Sequence, residues 1–131
     1  MLEALIVLPL IGGCSTSYNV VQGFEHNGIV TVNSTELIDA SHVSYPVVIV
    51  HAKNFQYPIY LFNHEKGGYT AVLGECTHKG CELELQGNAL ACPCHGSEFD
   101  FSGNVQNGPA SKRLTPLEVK YTESGLMISR F

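Results

Sequence analysis

Cys76-Thr77-His78-Lys79-Gly80-Cys81 and, ten residues further on, Cys92-Pro93-Cys94-His95-Gly96-Ser97 decide the reading of this chain. The first arm is a C-x-H and the second a C-x-x-H, so each short loop offers one thiol and one imidazole and leaves one further cysteine over. A binuclear iron-sulfur centre needs four protein ligands shared between two irons, and two loops meeting tip to tip supply that set. Thiolate donates charge to ferric iron, whereas neutral imidazole donates less, so a centre with two histidines is easier to reduce than one with four cysteines. With two ferric ions, two sulfides and two thiolates the oxidised centre is formally neutral, and one added electron makes it singly negative.

Cys81 and Cys94 are in surplus for such a site, and they read as a disulfide joining the loops. In the chain-entropy model a loop of that length is worth about 3 kcal/mol. A structural zinc ion would also accept C-x-H with C-x-x-H. It leaves the two extra cysteines and Gly96-Ser97 without a role, as does a disulfide-stapled domain with surface histidines. An absorption spectrum separates the three readings.

The two boxes, with Gly108-Pro109-Ala110, resemble the high-potential Rieske 2Fe-2S proteins, the family represented by the Rieske subunits of cytochrome bc complexes. The resemblance is specific in these motifs and extends more loosely from residue 28 to the end. It implies one Rieske 2Fe-2S cluster per chain, with Cys76 and Cys92 on the inner iron and His78 and His95 on the outer, solvent-facing iron. It also implies a Cys81–Cys94 disulfide and a shielding loop at Pro109. Ser97 stands where the family has a serine hydroxyl bonded to a bridging sulfide. Phe99 stands where quinol-oxidising members commonly carry a tyrosine whose hydroxyl reaches a ligand sulfur, so one donor that would stabilise the reduced cluster is missing. The expected potential is therefore positive, inside the Rieske range of about -150 to +300 mV, and below that of members keeping both hydroxyls. Lys79 replaces the leucine often found in bc-complex subunits at the apolar tip that docks beside the quinone pocket, and a lysine is costly to bury there without a counter-charge.

Composition sets the outer limits. The 131 residues, 44% hydrophobic with 13 glycines, suit one domain with a modest core. A net charge of -5 without a Lys/Arg run argues against nucleic acid or an anionic membrane surface as partner. Of five cysteines, only Cys14 lies outside the two boxes. It closes an apolar run, Ala4-Leu5-Ile6-Val7-Leu8-Pro9-Leu10-Ile11, that is too short to span a bilayer, and Ile11-Gly12-Gly13-Cys14 resembles a bacterial lipoprotein processing site. Residues 1–13 are then a candidate lipoprotein signal, Cys14 carries the lipid, and 14–27 are a tether or an edge segment. The competing reading is an apolar strand with a free thiol, and Glu3 with no early Lys or Arg favours it.

From residue 28 to 131 the pattern reads as antiparallel β. Strand-length runs rich in Val, Ile, Tyr and Thr cover 28–33, 45–51, 57–62 and 68–73, separated by breaks with Pro46, Pro58 and Gly67-Gly68. Ser34-Thr35-Glu36-Leu37 suits a single helical turn. A hairpin is expected around Ser102-Gly103-Asn104, and another where Leu117, Val119 and Tyr121 alternate with polar residues before the turn at 123–125. Glycines 74, 80, 87, 96 and 103 mark tight paths or positive φ. The expected fold is all-β, a Rieske-like antiparallel β-sandwich base with a cluster-binding cap over about 74–110. His26, His42, His51 and His64 read as ordinary surface or core residues, and Met127 with the scattered tyrosines and phenylalanines as core and strand residues.

No Ser/His/Asp set, phosphate loop or carboxylate pair is present, so the chain reads as an electron-transfer component without an autonomous catalytic site. Three roles follow: an envelope-tethered carrier passing electrons to a cytochrome or respiratory complex, the Rieske subunit of a quinol-oxidising bc-type complex, or the small subunit of a molybdenum oxidase such as arsenite oxidase. A disulfide beside the cluster implies an oxidising compartment, the bacterial envelope on the outer side of the cytoplasmic membrane.

Overall fold

The computed structural model describes residues 16–131; the apolar run at 4–11 and Cys14 lie outside them. The chain runs through β1 (Tyr18–Gln22), β2 (Phe24–His26), β3 (Ile29–Asn33), a 3-10 turn (Ser34–Glu36), β4 (Val47–His51), β5 (Ile59–Asn63) and β6 (Tyr69–Leu73). It continues as β7 (Glu84–Gln86), β8 (Ala89–Ala91), β9 (Glu98–Phe99), β10 (Val105–Asn107), β11 (Pro116–Thr122) and β12 (Gly125–Ser129). The expected helical turn is present, held by the Glu36 carboxylate accepting the Asn33 backbone N–H.

Eight strands form one sheet in the order β1-β4-β5-β6-β11-β12-β3-β2, antiparallel except for the parallel pair β1–β4. β11 joins its two halves, pairing with β6 at Pro116 and Leu117 and with β12 from Glu118 onward. The two edge strands are consecutive in sequence and separated only by Gly23, whose N–H donates to the His51 carbonyl at 2.7 Å. A Cβ at Gly23 would lie 2.5 Å from a Val30 methyl and 2.7 Å from a Val50 methyl, so only glycine lets the sheet curl round to bring its edges together there. The sandwich-like base is thus one rolled, barrel-like sheet. Within the 14–27 stretch, residues 18–22 and 24–26 are its edge strands.

The continuous apolar runs at 47–50 and 59–62 have a simple cause. Side chains alternate across a strand, and β4, β5 and β6 are covered on both faces. Val48, Val50, Ile59, Leu61, Ala71 and Leu73 point into the barrel. Val47, Tyr60, Phe62 and Val72 point the other way, into a second core with Cys76, Leu83, Leu90, Cys92, Phe99 and Leu114. A strand buried on both faces shows no apolar-polar alternation. Each fully buried Leu, Ile or Phe contributes roughly 1.5–3 kcal/mol, and the second core fastens the cap to the outer face of the base.

The cap carries a four-stranded sheet, β10-β9-β8-β7. The expected hairpin around Gly103 is β9–β10, and Asp100 closes its loop by accepting the Ser102 and Asn104 N–H groups, both at 2.9 Å. The β7–β8 hairpin turns on Gly87-Asn88, a two-residue turn signal of the Gly-Asn kind that would have revealed it in the sequence. The arms 76–81 and 92–97 leave from its open end.

Candidate metal centre

The two arms are built alike. In each, the first cysteine's N–H donates to the carbonyl five residues on, Cys76 to Cys81 and Cys92 to Ser97, both at 2.8 Å. In each, that cysteine's carbonyl accepts the N–H four residues on, from Gly80 at 2.8 Å and from Gly96 at 3.0 Å. The turns need φ of +73° at Gly80 and +79° at Gly96, where a side chain would be strained. Gly74, unlike Gly80, Gly87, Gly96 and Gly103, has no positive φ. It permits close approach instead, because a Cβ there would come within 2.8 Å of the Tyr60 ring and 2.9 Å of Pro58.

Cys81 and Cys94 are joined, with S–S 2.01 Å and their Cα atoms 6.5 Å apart. Cys76 and Cys92 are free thiols, 1% and 3% exposed. The sulfurs of Cys81, Cys92 and Cys94 lie within 4.8 Å of one another. Since two of them already share a bond, Cys92 is the available donor of that trio. The rings of His78 and His95 meet edge to face, 5.0 Å between centroids and 89° between planes. His95 is exposed, whereas half-buried His78 turns Nδ1 inward, where it has no hydrogen-bond partner.

Burial pushes the Cys76 thiol up from its ordinary pKa. The backbone N–H of His78 draws it back, the neighbouring Cys92 thiol raises it, and the Lys79 N–H lowers it again. Positive charge at the site would reverse the burial effect, since a coordinating thiol is deprotonated outright. A buried nitrogen left unpaired costs about 1–3 kcal/mol, and coordination of the His78 Nδ1 would remove that cost. Two free buried thiols on the same two loops as a contacting pair of imidazoles, one with an orphaned inward nitrogen, fit the donor set of a 2Fe-2S centre.

Other elements hold each arm. Tyr57 donates its hydroxyl to the Gly80 carbonyl at 2.7 Å, and Tyr60, buried, donates to the Leu83 carbonyl at 2.8 Å. The Gly74 N–H reaches the Pro58 carbonyl at 2.7 Å, so the first arm hangs from the entry of β5. Thr77 donates its hydroxyl to the Lys112 carbonyl at 2.6 Å. In the second arm wholly buried Ser97 accepts the Ala110 N–H at 2.9 Å, just past exposed Pro109 and its cis peptide bond. Phe99 is fully buried in the apolar cluster that includes Cys76 and Cys92. Nothing local in the sequence reveals Tyr57 and Tyr60, which lie 23 residues from the carbonyls they support. His26, His42, His51 and His64 are all exposed.

Comparison with known proteins agrees with this geometry. Over 49 residues the chain is 51% identical to the ubiquinol-cytochrome c reductase iron-sulfur subunit of Rickettsia typhi, covering 35% of this chain and 28% of that one. Over 82 residues it is 34% identical to the cytochrome b6-f complex iron-sulfur subunit of Prochlorococcus marinus, covering 56% and 44%. The matches thus span less than half the length of these relatives. In structure it resembles the cyanobacterial plasma membrane Rieske protein PetC3 from Synechocystis, with TM-score 0.51, 24% identity, and coverage of 78% of this chain and 86% of that one. The Rieske 2Fe-2S domain matches residues 33–121. That match takes in both cysteine-histidine loops and the strands from β4 into β11, and with it the chain belongs to the Rieske 2Fe-2S family, the electron-transport proteins whose cofactor is a 2Fe-2S cluster.

Proposed function

We propose that Cys76 and Cys92 hold one iron and His78 and His95 the other, and that the chain passes single electrons to a docked redox protein. The observation that carries this reading is the division of the cysteines: two bonded to each other, and two free and buried on the loops that bring His78 and His95 together. A bound 2Fe-2S centre supplies one-electron chemistry. The protein's part is to exclude water from the two thiols, present the exposed His95 edge to the partner, and direct the Ser97 hydroxyl. Because the Ser97 oxygen already accepts the Ala110 N–H, its own proton remains free to donate towards a sulfur.

The imidazole ligands also exchange protons with solvent. Added negative charge at the site makes an imidazole more basic, so electron uptake and proton uptake are coupled. For the membrane, the reading is a lipid on Cys14 at the outer face of the cytoplasmic membrane. Thr16 donates its hydroxyl to the Gly87 carbonyl at 2.7 Å. That bond ties the start of the described chain to the β7–β8 turn.

A second reading, the Rieske subunit of a quinol-oxidising complex, draws support from the relatives named above. Exposed Lys79 beside His78 suits a partner bearing carboxylates better than an apolar quinone pocket. Anaerobic reconstitution of single variants tests the ligand set: Cys76→Ser, His78→Ala, Cys92→Ser and His95→Ala should each abolish the visible spectrum of the native cluster. A variant that keeps that spectrum unchanged removes its residue from the ligands. Binding to a cytochrome b partner and sensitivity to quinone-site inhibitors separate the two roles.

A further inference from the structure

We infer that the histidine tip is locally positive on a chain that is negative overall, and that it docks an acidic patch of a protein redox partner. This deepens the proposed electron-transfer role and rests on it. Lys79 follows His78 directly and is exposed. Lys112, also exposed, is brought to the same loop by its carbonyl, which accepts the Thr77 hydroxyl at 2.6 Å. Among the described residues the only ion pair is Lys120–Glu118 at 3.8 Å, so neither tip lysine is neutralised by a neighbour. Next to Lys112, Arg113 instead turns to the β9–β10 loop, where it donates to the Ser102 carbonyl at 2.9 Å.

One carboxylate of the cap lies close to the first arm: a Cβ at Gly80 would stand 3.6 Å from Glu75 Oε1. Glu82 and Glu84, both exposed, follow the first arm on the chain towards β7. Asp100 is spent inside its own loop on the Ser102 and Asn104 N–H groups. Glu98, exposed on β9, is the one acidic side chain immediately after the second arm. Lys79 and Lys112 together thus outnumber the one carboxylate beside the first arm. At physiological salt charges beyond about 8 Å are largely screened, so an approaching partner responds to the lysines near the rings more than to the net charge of -5. Two cations are fewer than the about four to eight clustered Lys/Arg that mark an anionic lipid surface, which favours a protein carrying carboxylates.

The test uses the full chain with its cluster, reduced and then mixed rapidly with ferricyanide or with a tripositive cobalt phenanthroline complex. Ferricyanide oxidation should slow several-fold from low to high salt, while oxidation by the cobalt complex should quicken. The Lys79→Glu/Lys112→Glu variant should reverse both slopes. Ferricyanide oxidation that quickens with salt, as the net charge dictates, overturns the proposal, as does an unchanged slope in the variant. Binding to phosphatidylglycerol vesicles that the variant loses would overturn the protein partner in favour of a membrane. Line broadening of backbone amides by inert hexacyanochromate reads the same charge without electron transfer. It should be strongest near Lys79 and Lys112 and weaken in the variant; uniform broadening contradicts the proposal even if the chain takes up no iron, a result that would sink the redox reading alone.

Discussion

Ser97 and Ala110 are joined by a buried hydrogen bond of 2.9 Å, in which the serine oxygen accepts the alanine N–H. It is the side-chain bond that ties the second arm to the loop following Pro109. Ser97→Ala leaves that N–H unpaired in a buried setting, at a cost of about 1–3 kcal/mol, and removes the hydroxyl proposed to donate to a cluster sulfur. The variant should unfold at lower denaturant and show a lower midpoint potential in protein-film voltammetry. A loss of stability with no change in potential would mean that the hydroxyl serves the loop only.

Phe99→Tyr is the converse change. The ring is fully buried in the cluster that contains Cys76 and Cys92, so the added hydroxyl must find an acceptor there. If it reaches a ligand sulfur, the potential rises. A potential equal to that of the parent chain would show that the ring edge points away.

Tyr60 links stability to alkaline pH. Burial, reinforced by Glu82 and Glu84, pushes its hydroxyl up to about 12 from the ordinary 10.0. The folded state keeps this proton more tightly than the unfolded state, so the contribution is complete below the unfolded value and is lost as pH rises through the folded one. Denaturant titrations of the metal-free chain should show stability falling across that window. Tyr60→Phe lacks this part of the slope but starts less stable, because the Leu83 carbonyl loses its donor. An identical slope in the variant would assign the alkaline loss to Tyr57 and Tyr69, which burial also raises.

The coupling of electrons to protons predicts a midpoint potential that falls as pH rises into the alkaline range, because the reduced form holds its imidazole protons more tightly. Voltammetry across that range checks it. A flat profile from neutral to strongly alkaline pH would count against imidazole ligands open to solvent.

Much of this was legible in the sequence, for physical reasons that differ between elements. β11 and β12 declare themselves because one face is solvated, so Leu117 and Val119 alternate with charged residues. β4 and β5 show only apolar runs, which reveal strand without revealing that the two faces serve two cores. The arms are legible because Cys, His and Gly carry their chemistry and turn geometry locally. The Tyr57 and Tyr60 supports, the Thr77–Lys112 bond and the curling of the sheet at Gly23 depend on partners far along the chain, and no local pattern announces them.

The division of sulfur and nitrogen between two irons is tested most directly by nuclear-double-resonance spectroscopy of the reduced protein grown with nitrogen-15 histidine. The account predicts strong coupling of two histidine nitrogens to a single iron site, lost when His78 or His95 is replaced. A reduced spectrum with no directly bound nitrogen, or coloured protein that keeps both couplings after either replacement, would contradict it.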